Sequence, residues 1–241
     1  MRIAVFSDVH GNLEALSAVL QAARRHGPDA YLCLGDVVGY GANPKECIDL
    51  LRGLGIATLA GNHDYVAAGL LSSSTFNEFA RIAIEWTSAQ LDDAARAYLA
   101  GLPLVSNDGC FSAVHATLVE PEAFAYVDSP TTARLLLDHQ GVSACLYGHS
   151  HIPVSYLLRD GALHITFDRE INLGEVDRAL VNVGSVGQPR DENPLACFVL
   201  VDTETRLLTL HRVSYDVDQA ARKIIMAGLP PILGDRLLFG I

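Results

Sequence analysis

The apolar residues in the N-terminal part of the chain alternate between two spacings. Short runs rich in branched and aromatic side chains, typical of buried strands, are separated by segments with apolar residues at helical spacing. The strand-like runs are Ile3–Phe6, Tyr31–Leu34 and Ile56–Leu59, and the helical segments span 13–23 and 44–54. This order predicts parallel strands joined by right-handed crossovers.

A helical block follows, and the chain then becomes rich in strands. Thr75–Glu78 has the sequence of a capping box, which predicts a helix continuing through Trp86. The other predicted helices span 93–99, 131–137 and 216–226, and the other strands 111–114, 144–147, 154–158, 163–167, 179–183, 197–201 and 207–213. Because so many strands would overfill one open sheet, we predict an α/β fold: a two-sheet β-sandwich flanked by helices, as one domain over residues 1–241. We expect the apolar tail after Leu229 to pack on the core, with a second subunit as the alternative.

Composition narrows the possible partners. The chain has 241 residues, 50% of them hydrophobic, and a net charge of -11 from 17 basic and 28 acidic residues. This balance argues against an extended nucleic-acid surface or an anionic membrane, but not against a nucleotide substrate, because bound metal ions change the local field. The five cysteines form no CxxC pair, and no apolar stretch is long enough for a membrane span. We therefore expect a cytoplasmic protein with no membrane partner, and the composition leaves its oligomeric state open.

Potential metal ligands or proton donors follow five of the predicted strands. In chain order they are Asp8 and His10, Asp36, Asn62 with His63 and Asp64, His115, and His149 with His151. In parallel α/β sheets ligands bind at the carboxyl ends of strands, so we expect these groups to converge on one edge of one sheet. The spacing of two in Asp8/His10 and His149/His151 would point both side chains the same way from an extended segment.

The chemistry of this set favours metal ions. Imidazole and carboxylate together suit Mn, Fe, Zn or Ni rather than Ca or Mg. There are more ligands than one tetrahedral zinc needs, which predicts two ions sharing a carboxylate. A single Asp here could cap a helix, and a single His could be structural, but five of nine histidines lie at these strand ends. The other four (His26, His139, His164 and His211) are interpreted as surface or packing residues.

The motifs form a recognisable series. Asp8-x-His10, Gly35-Asp36, Gly61-Asn62-His63-Asp64, His115 and Gly148-His149-x-His151 resemble, in order, the motifs of the calcineurin-like metallophosphoesterases. Segments 35–41 and 182–190 and the strand-rich second half look like the small bacterial phosphodiesterase branch of that superfamily. The resemblance implies its four-layer fold.

The resemblance also implies roles for these residues. Asp8, His10 and His151 would hold one metal ion, and Asn62, His115 and His149 the other, with Asp36 bridging both. His63 would face the phosphoryl group as an acid or charge stabiliser, and Asp64 would orient its imidazole.

The resemblance, on which the preference for diesters rests, implies hydrolysis of a small phosphodiester by a hydroxide that would bridge two divalent metal ions, with Mn as the first candidate. Nucleotide-type diesters are among the candidate substrates. A phosphomonoesterase or protein phosphatase of the same fold, or a metal-binding scaffold without catalysis, are the alternatives. Arg190 could clamp a phosphate or be a surface residue. Asn12 could touch the substrate or cap the first helix.

Overall fold

The computed structural model describes residues 1–107 and 109–241, and within them the strands form two six-stranded sheets. In spatial order, the first sheet contains β3 (Ala57–Thr58), β2 (Ala30–Cys33), β1 (Arg2–Phe6), β11 (Ala196–Asp202), β12 (Leu207–Val213) and β9 (Glu170–Asn172). The second contains β4 (Val105–Asn107), β5 (Ser112–Val114), β6 (Ala144–Tyr147), β10 (Arg178–Asn182), β7 (Ser155–Arg159) and β8 (Ala162–Thr166). The helices are α1 (Leu13–Arg24), α2 (Pro44–Gly53), α3 (Asn62–Ala67), α4 (Glu78–Gln90), α5 (Asp93–Ala100), α6 (Pro130–His139), α7 (Val217–Met226) and α8 (Pro231–Phe239).

The centre of the first sheet joins distant parts of the chain. β1 runs parallel to β2, as the crossover pattern predicted, and β2 runs parallel to β3. On its other side β1 pairs antiparallel with β11, so that Val5 lies opposite Val199. In the second sheet, β6 lies between two parallel neighbours, β5 and β10.

The alternating residues of β1 explain the layers. Ala4 and Phe6 pack with Leu16 of α1 on the outer face, whereas Ile3 and Val5 belong to the core between the two sheets. Both faces of the strand are thus buried, which is why its sequence is an unbroken apolar run. Helix α6 covers the outer face of the second sheet. The result is a helix–sheet–sheet–helix sandwich, and the predicted fold class is confirmed.

The two C-terminal helices complete a third packing region beside α4. Leu229, Leu233 and Leu237 are buried there together with Tyr40, so the expectation that the tail packs on the core is confirmed. Phe239 at the end of α8 stays 64% exposed.

Several local predictions differ from the structure. The Thr75 capping box is wrong: residues 73–75 form a short 3₁₀ turn, and Asn77 caps α4 by accepting a hydrogen bond from the Ala80 amide. Helices α3 and α8 and the short strands β4 and β9 had no clear signal in the sequence.

Across 1–107 and 109–241, no helix combines the length and apolar character needed to cross a membrane.

Candidate metal centre

The predicted ligands lie in loops at the carboxyl ends of strands, but on two sheets. Asp8, Asp36 and Asn62 follow β1, β2 and β3 of the first sheet, whereas His115 and His149 follow β5 and β6 of the second. The expectation of one edge of one sheet is therefore wrong. The packed sheets place these edges side by side, and the His149 amide joins them by donating to the Asp8 carboxylate at 3.1 Å.

The backbone at these positions is not extended. Asp8, His10, Asp36, His149 and His151 all have positive φ, between 49° and 67°. The expectation that Asp8/His10 and His149/His151 project from extended segments is therefore wrong. Each of these four residues has a left-handed backbone conformation, which sets the direction of its own side chain. Non-glycine residues with positive φ are strained and persist where the surroundings over-determine them, as at binding sites.

Two glycines allow the loops to approach this closely. A Cβ atom at Gly61 would overlap the Asp36 carboxylate, and one at Gly148 would overlap Ser7 and Asp8. Positions 61 and 148 therefore require glycine.

The first ligand group contains Asp8, His10 and His151, whose ligand atoms lie within 4.8 Å of one another. The Nε2 atoms of His10 and His151 are 3.0 Å apart. Each ring donates its Nδ1–H to a backbone carbonyl, that of Val38 at 3.0 Å for His10 and that of Gln188 at 2.6 Å for His151. Both Nε2 atoms of the neutral rings are therefore bare lone pairs that face each other, an arrangement that requires a cation or a proton between them.

The second group contains Asp36, His115 and His149. His115 donates Nδ1–H to the Leu34 carbonyl at 3.1 Å, and its Nε2 lies 3.1 Å from His149 Nδ1. The Oδ1 atom of Asn62 is buried without a hydrogen-bond partner, as expected of an amide oxygen positioned for a cation. His149 differs from the rings of the first group, because its Nδ1 faces the neighbouring histidine and its Nε2 is buried without a hydrogen-bond partner.

Asp36 lies between the two groups. Its Oδ2 atom is 3.4 Å from His115 Nε2 and 3.6 Å from His10 Nε2. One carboxylate oxygen can thus reach both candidate sites, which is the geometry that a shared ligand needs.

Burial controls the charge of the histidines. It lowers the pKa of His149 to about 3 and that of His63 to about 4, and it holds the pKa of His10 and His151 well below the usual range. These rings are therefore neutral at pH 7, the form that binds metal ions.

The carboxylates respond to burial and to their neighbours. Burial raises the pKa of Asp8 to about 7, against the pull of His115. For Asp36, burial is outweighed by His115, His63 and His10, and its pKa falls well below the usual range. Burial disfavours a proton on His115, but Asp36 and Asp8 raise its pKa to about 9. The buried carboxylates therefore favour positive charge beside them, as the raised pKa of His115 indicates, so this donor set fits bound cations.

His63 lies beside both groups without belonging to the predicted ligand set. It is 5% exposed, and its ring packs against those of Tyr40, His10 and Phe76 at centroid distances of 4.6–4.8 Å. Its Nδ1 atom is buried with no hydrogen-bond partner. A nitrogen of His63 also lies within 4.8 Å of ligand atoms of His10 and Asp36, so its role in metal binding needs a direct test.

The predicted role of Asp64 is wrong. Its Oδ1 accepts hydrogen bonds from the amides of Val37 and Val38 at 2.9 and 3.3 Å, and its Oδ2 accepts from the Gly61 amide at 3.0 Å. The Asp64 carboxylate therefore connects the loop after β2 to the start of α3 through hydrogen bonds to backbone amides, and these bonds do not involve the imidazole of His63.

The two predicted substrate residues have different surroundings. Asn12 caps α1 through its Oδ1, and its amide donates to the Gly187 carbonyl at 2.9 Å and the Tyr215 hydroxyl at 3.3 Å. The capping interpretation is confirmed, and contact of Asn12 with substrate stays a prediction. The Arg190 guanidinium lies 5.6 Å from the Tyr40 ring centroid and donates to Gln188 Oε1 at 2.7 Å. Because Tyr40 contacts His10 and His63, Arg190 is close to the candidate centre.

A cleft of about 710 Å³ adjoins the second ligand group. Its lining includes Asn62, His63 and His149 together with Phe124 and Tyr126. Neither aromatic residue was singled out from the sequence, because nothing in the loop after His115 indicates which side chains turn toward the histidines. The carbonyls that orient the ligand rings also carry no sequence signal, since every residue has one.

Comparisons with known proteins agree with this picture. A family model described as calcineurin-like phosphoesterase matches residues 1–153. An uncharacterized protein of Methanocaldococcus jannaschii is 37% identical over 250 residues, which cover 99% of this chain and 98% of that protein. The crystal structure of a metallophosphoesterase from Sphaerobacter thermophilus is similar with a TM-score of 0.86 and 36% identity, covering 100% of this chain and 99% of that one. A hypothetical protein from Pyrococcus horikoshii OT3 has the same fold, with a TM-score of 0.82, 21% identity and coverage of 100% and 98%.

The sandwich and its centre of histidines and carboxylates define a metal-dependent phosphoesterase. The chain belongs to the calcineurin-like phosphoesterase family, as its motif series indicated.

Proposed function

We propose that this protein hydrolyses phosphodiesters with two divalent transition-metal ions, one in each ligand group and both in contact with Asp36. Manganese is the first candidate, with Fe, Zn and Ni as the others. The observation that most supports the proposal is the pair of close imidazole contacts, His10 to His151 and His115 to His149, on either side of the Asp36 carboxylate.

The protein's own residues would divide the remaining work. When bound, the cations would supply polarisation of the phosphoryl oxygens and a water of lowered pKa as the nucleophile. Arg190 would bind a phosphoryl oxygen through its guanidinium. Because His63 Nδ1 has no acceptor, the ring N–H is better placed on Nε2, from which the neutral ring would donate a hydrogen bond that stabilises charge on the leaving oxygen.

The character of the cleft favours diesters over monoesters. A phosphomonoester carries a charge of about −1.5 to −2 at neutral pH, more than the single charge of a diester. Among the described residues that line the cleft there is an acidic side chain, Glu122, and no Lys or Arg. Aromatic walls also suit a second organic substituent, which only a diester has.

The test is a comparison of two chromogenic esters. Metal-depleted protein is reloaded with Mn, Fe, Zn or Ni, the bound metal is counted by mass spectrometry, and hydrolysis of bis(p-nitrophenyl) phosphate and p-nitrophenyl phosphate is measured. We expect two ions per chain and a higher kcat/KM for the diester. A higher kcat/KM for the monoester would indicate a phosphomonoesterase or protein phosphatase instead. Full metal loading without turnover of either ester would indicate a scaffold.

A further inference from the structure

One wall of the cleft is formed by Tyr126, an exposed aromatic residue next to a candidate metal ligand. We propose that Tyr126 is a stacking platform for the base of a nucleoside substituent, so that the substrate class is nucleotide phosphodiesters. This inference rests on the proposed phosphodiesterase function and specifies what that site accepts.

The Tyr126 ring is held on one side and open on the other. Its centroid lies 4.0 Å from that of His149, with the planes at 27°, so the two rings are stacked. The residue nevertheless remains 55% exposed, which leaves its outer surface available. A flat ring fixed by a neighbour and exposed to a cleft offers stacking at little cost in conformational entropy.

The loop that carries Tyr126 is strained and firmly anchored. Glu120 and Phe124 both have φ of 49°, in the left-handed region that non-glycine residues rarely adopt. Phe124 offsets this strain by burial to 7% exposure, with its ring edge-on to Tyr65 and His115 at 5.6 and 6.0 Å. The buried Phe124 ring therefore holds the loop that carries Tyr126 in place beside the candidate metal centre.

The lining of the cleft fits a nucleobase better than an aliphatic group or a second phosphate. Glu122, Ser72 and Ser74 line the same cleft as Tyr126 and offer hydrogen-bond donors and acceptors to the polar edges of a base. A second phosphate would meet the Glu122 carboxylate instead of a cation. The volume of about 710 Å³ lies within the range of pockets that bind small molecules.

Tyr126 lies directly beside the second ligand group. It stacks on His149, whose Nδ1 faces His115 in that group. A base on the outer face of Tyr126 would thus lie next to the candidate metal centre, with the Tyr126 ring between the base and His149.

The test uses two diesters with the same leaving group. Thymidine 5′-(p-nitrophenyl phosphate) and methyl p-nitrophenyl phosphate both release p-nitrophenol, so they differ only in the retained substituent. We expect wild type to prefer the thymidine ester, and Tyr126→Ala to lower the ratio of kcat/KM values by about 5-fold to 100-fold, mainly through KM. Tyr126→Phe should keep the ratio because it keeps the ring. The matched control is Phe167→Ala, which removes a 70% exposed aromatic outside the cleft and should leave the ratio unchanged.

A binding measurement separates this inference from the proposed function. The dissociation constant of thymidine 5′-monophosphate is measured by calorimetry for wild type, Tyr126→Ala and Tyr126→Phe. If neither ester is hydrolysed but binding weakens only in Tyr126→Ala, the phosphodiesterase proposal fails and the stacking site stands. If both esters are hydrolysed without preference, or if the alanine variant loses both activities equally together with bound metal, the stacking site is refuted.

Discussion

The backbone of Gly39 lies directly against the imidazole of His63, so closely that a Cβ atom at position 39 would overlap Nδ1. Gly39 also has φ of +94°, a conformation that L side chains rarely adopt. The His63 ring can therefore occupy its position only because residue 39 has no side chain. Asp64, the expected partner of His63, is bonded to backbone amides instead.

Gly39→Ala tests this relationship. The added methyl should displace the imidazole from its place beside His10, and the stabilisation of charge on the leaving oxygen, worth about 10²- to 10³-fold for one hydrogen-bond donor, should be largely lost. We expect kcat to fall at least about 10-fold, while the number of bound metal ions is unchanged. Gly53→Ala is the control, because a Cβ atom there meets nothing within 4 Å. A variant with wild-type kcat would show that Gly39 does not position His63.

Asp36→Asn and His63→Ala should separate metal binding from stabilisation of the leaving oxygen. The amide of Asn offers one neutral oxygen where both ligand groups need a carboxylate, so Asp36→Asn should lose at least one ion and nearly all turnover. His63→Ala should lose most turnover but keep both ions. Metal counting and kinetics on the same preparations check this pair. A parallel loss of metal in His63→Ala would make His63 a ligand and contradict the assigned role.

Asp64→Ala should act mainly on stability. It leaves the amides of Val37, Val38 and Gly61 without their acceptor in a buried loop, and we expect a loss of about 2–4 kcal/mol in the free energy of unfolding. Urea denaturation in the presence of a chelator measures this loss without a contribution from bound metal. Asp168→Ala, at an exposed carboxylate, is the control. Unchanged stability combined with a reduced kcat would restore the orienting role that the structure argues against.

His211 should make the protein sensitive to acid. Its ring stacks on Phe198 at a centroid distance of 4.7 Å, and Nε2 is buried without a partner. Burial, aided by the nearby His26 and Arg169, lowers its pKa from 6.5 to about 4. The unfolded chain thus binds the proton more readily, and this histidine reduces stability as the pH falls from about 6.5 toward 4.

His211→Phe removes that titration and keeps the stacking. We expect its Tm to drop less than that of wild type between pH 7 and pH 5 when both are measured with a chelator. His164→Phe, at an exposed position on β8, should behave like wild type. Equal acid sensitivity of His211→Phe and wild type would refute the assignment.

The sequence was sufficient for the elements whose pattern is determined locally. The apolar run of β1 and the helical spacing of α1 were recognised because burial on one or both faces leaves a periodic record. The candidate ligands were recognised because His and Asp recur directly after such runs. Asp64 was misassigned for a physical reason: a carboxylate beside a histidine in the chain can equally well bond to amides, and only the fold decides between them.

Other features depend on contacts between distant residues. Nothing near β1 indicates that its antiparallel neighbour is β11, or that the ligands of one centre come from two sheets. The positive φ of Asp8 and Asp36 is imposed by surrounding loops, against the local preference of these residues. Tyr126 was not recognised because a lone aromatic in a loop has no spacing to distinguish it.

The pairing of β1 with β11 also constrains the order of events during synthesis. Every candidate ligand has left the ribosome once His151 has emerged, yet β1 still lacks one of its two neighbours. The amides of Val186 and Gly187, which bond to the carbonyls of Ser7 and Asp8, are also still missing. The nascent protein therefore carries a complete set of metal-binding side chains before all the contacts that arrange them are available, and we expect the centre to be assembled only after residues 186–202 have been translated.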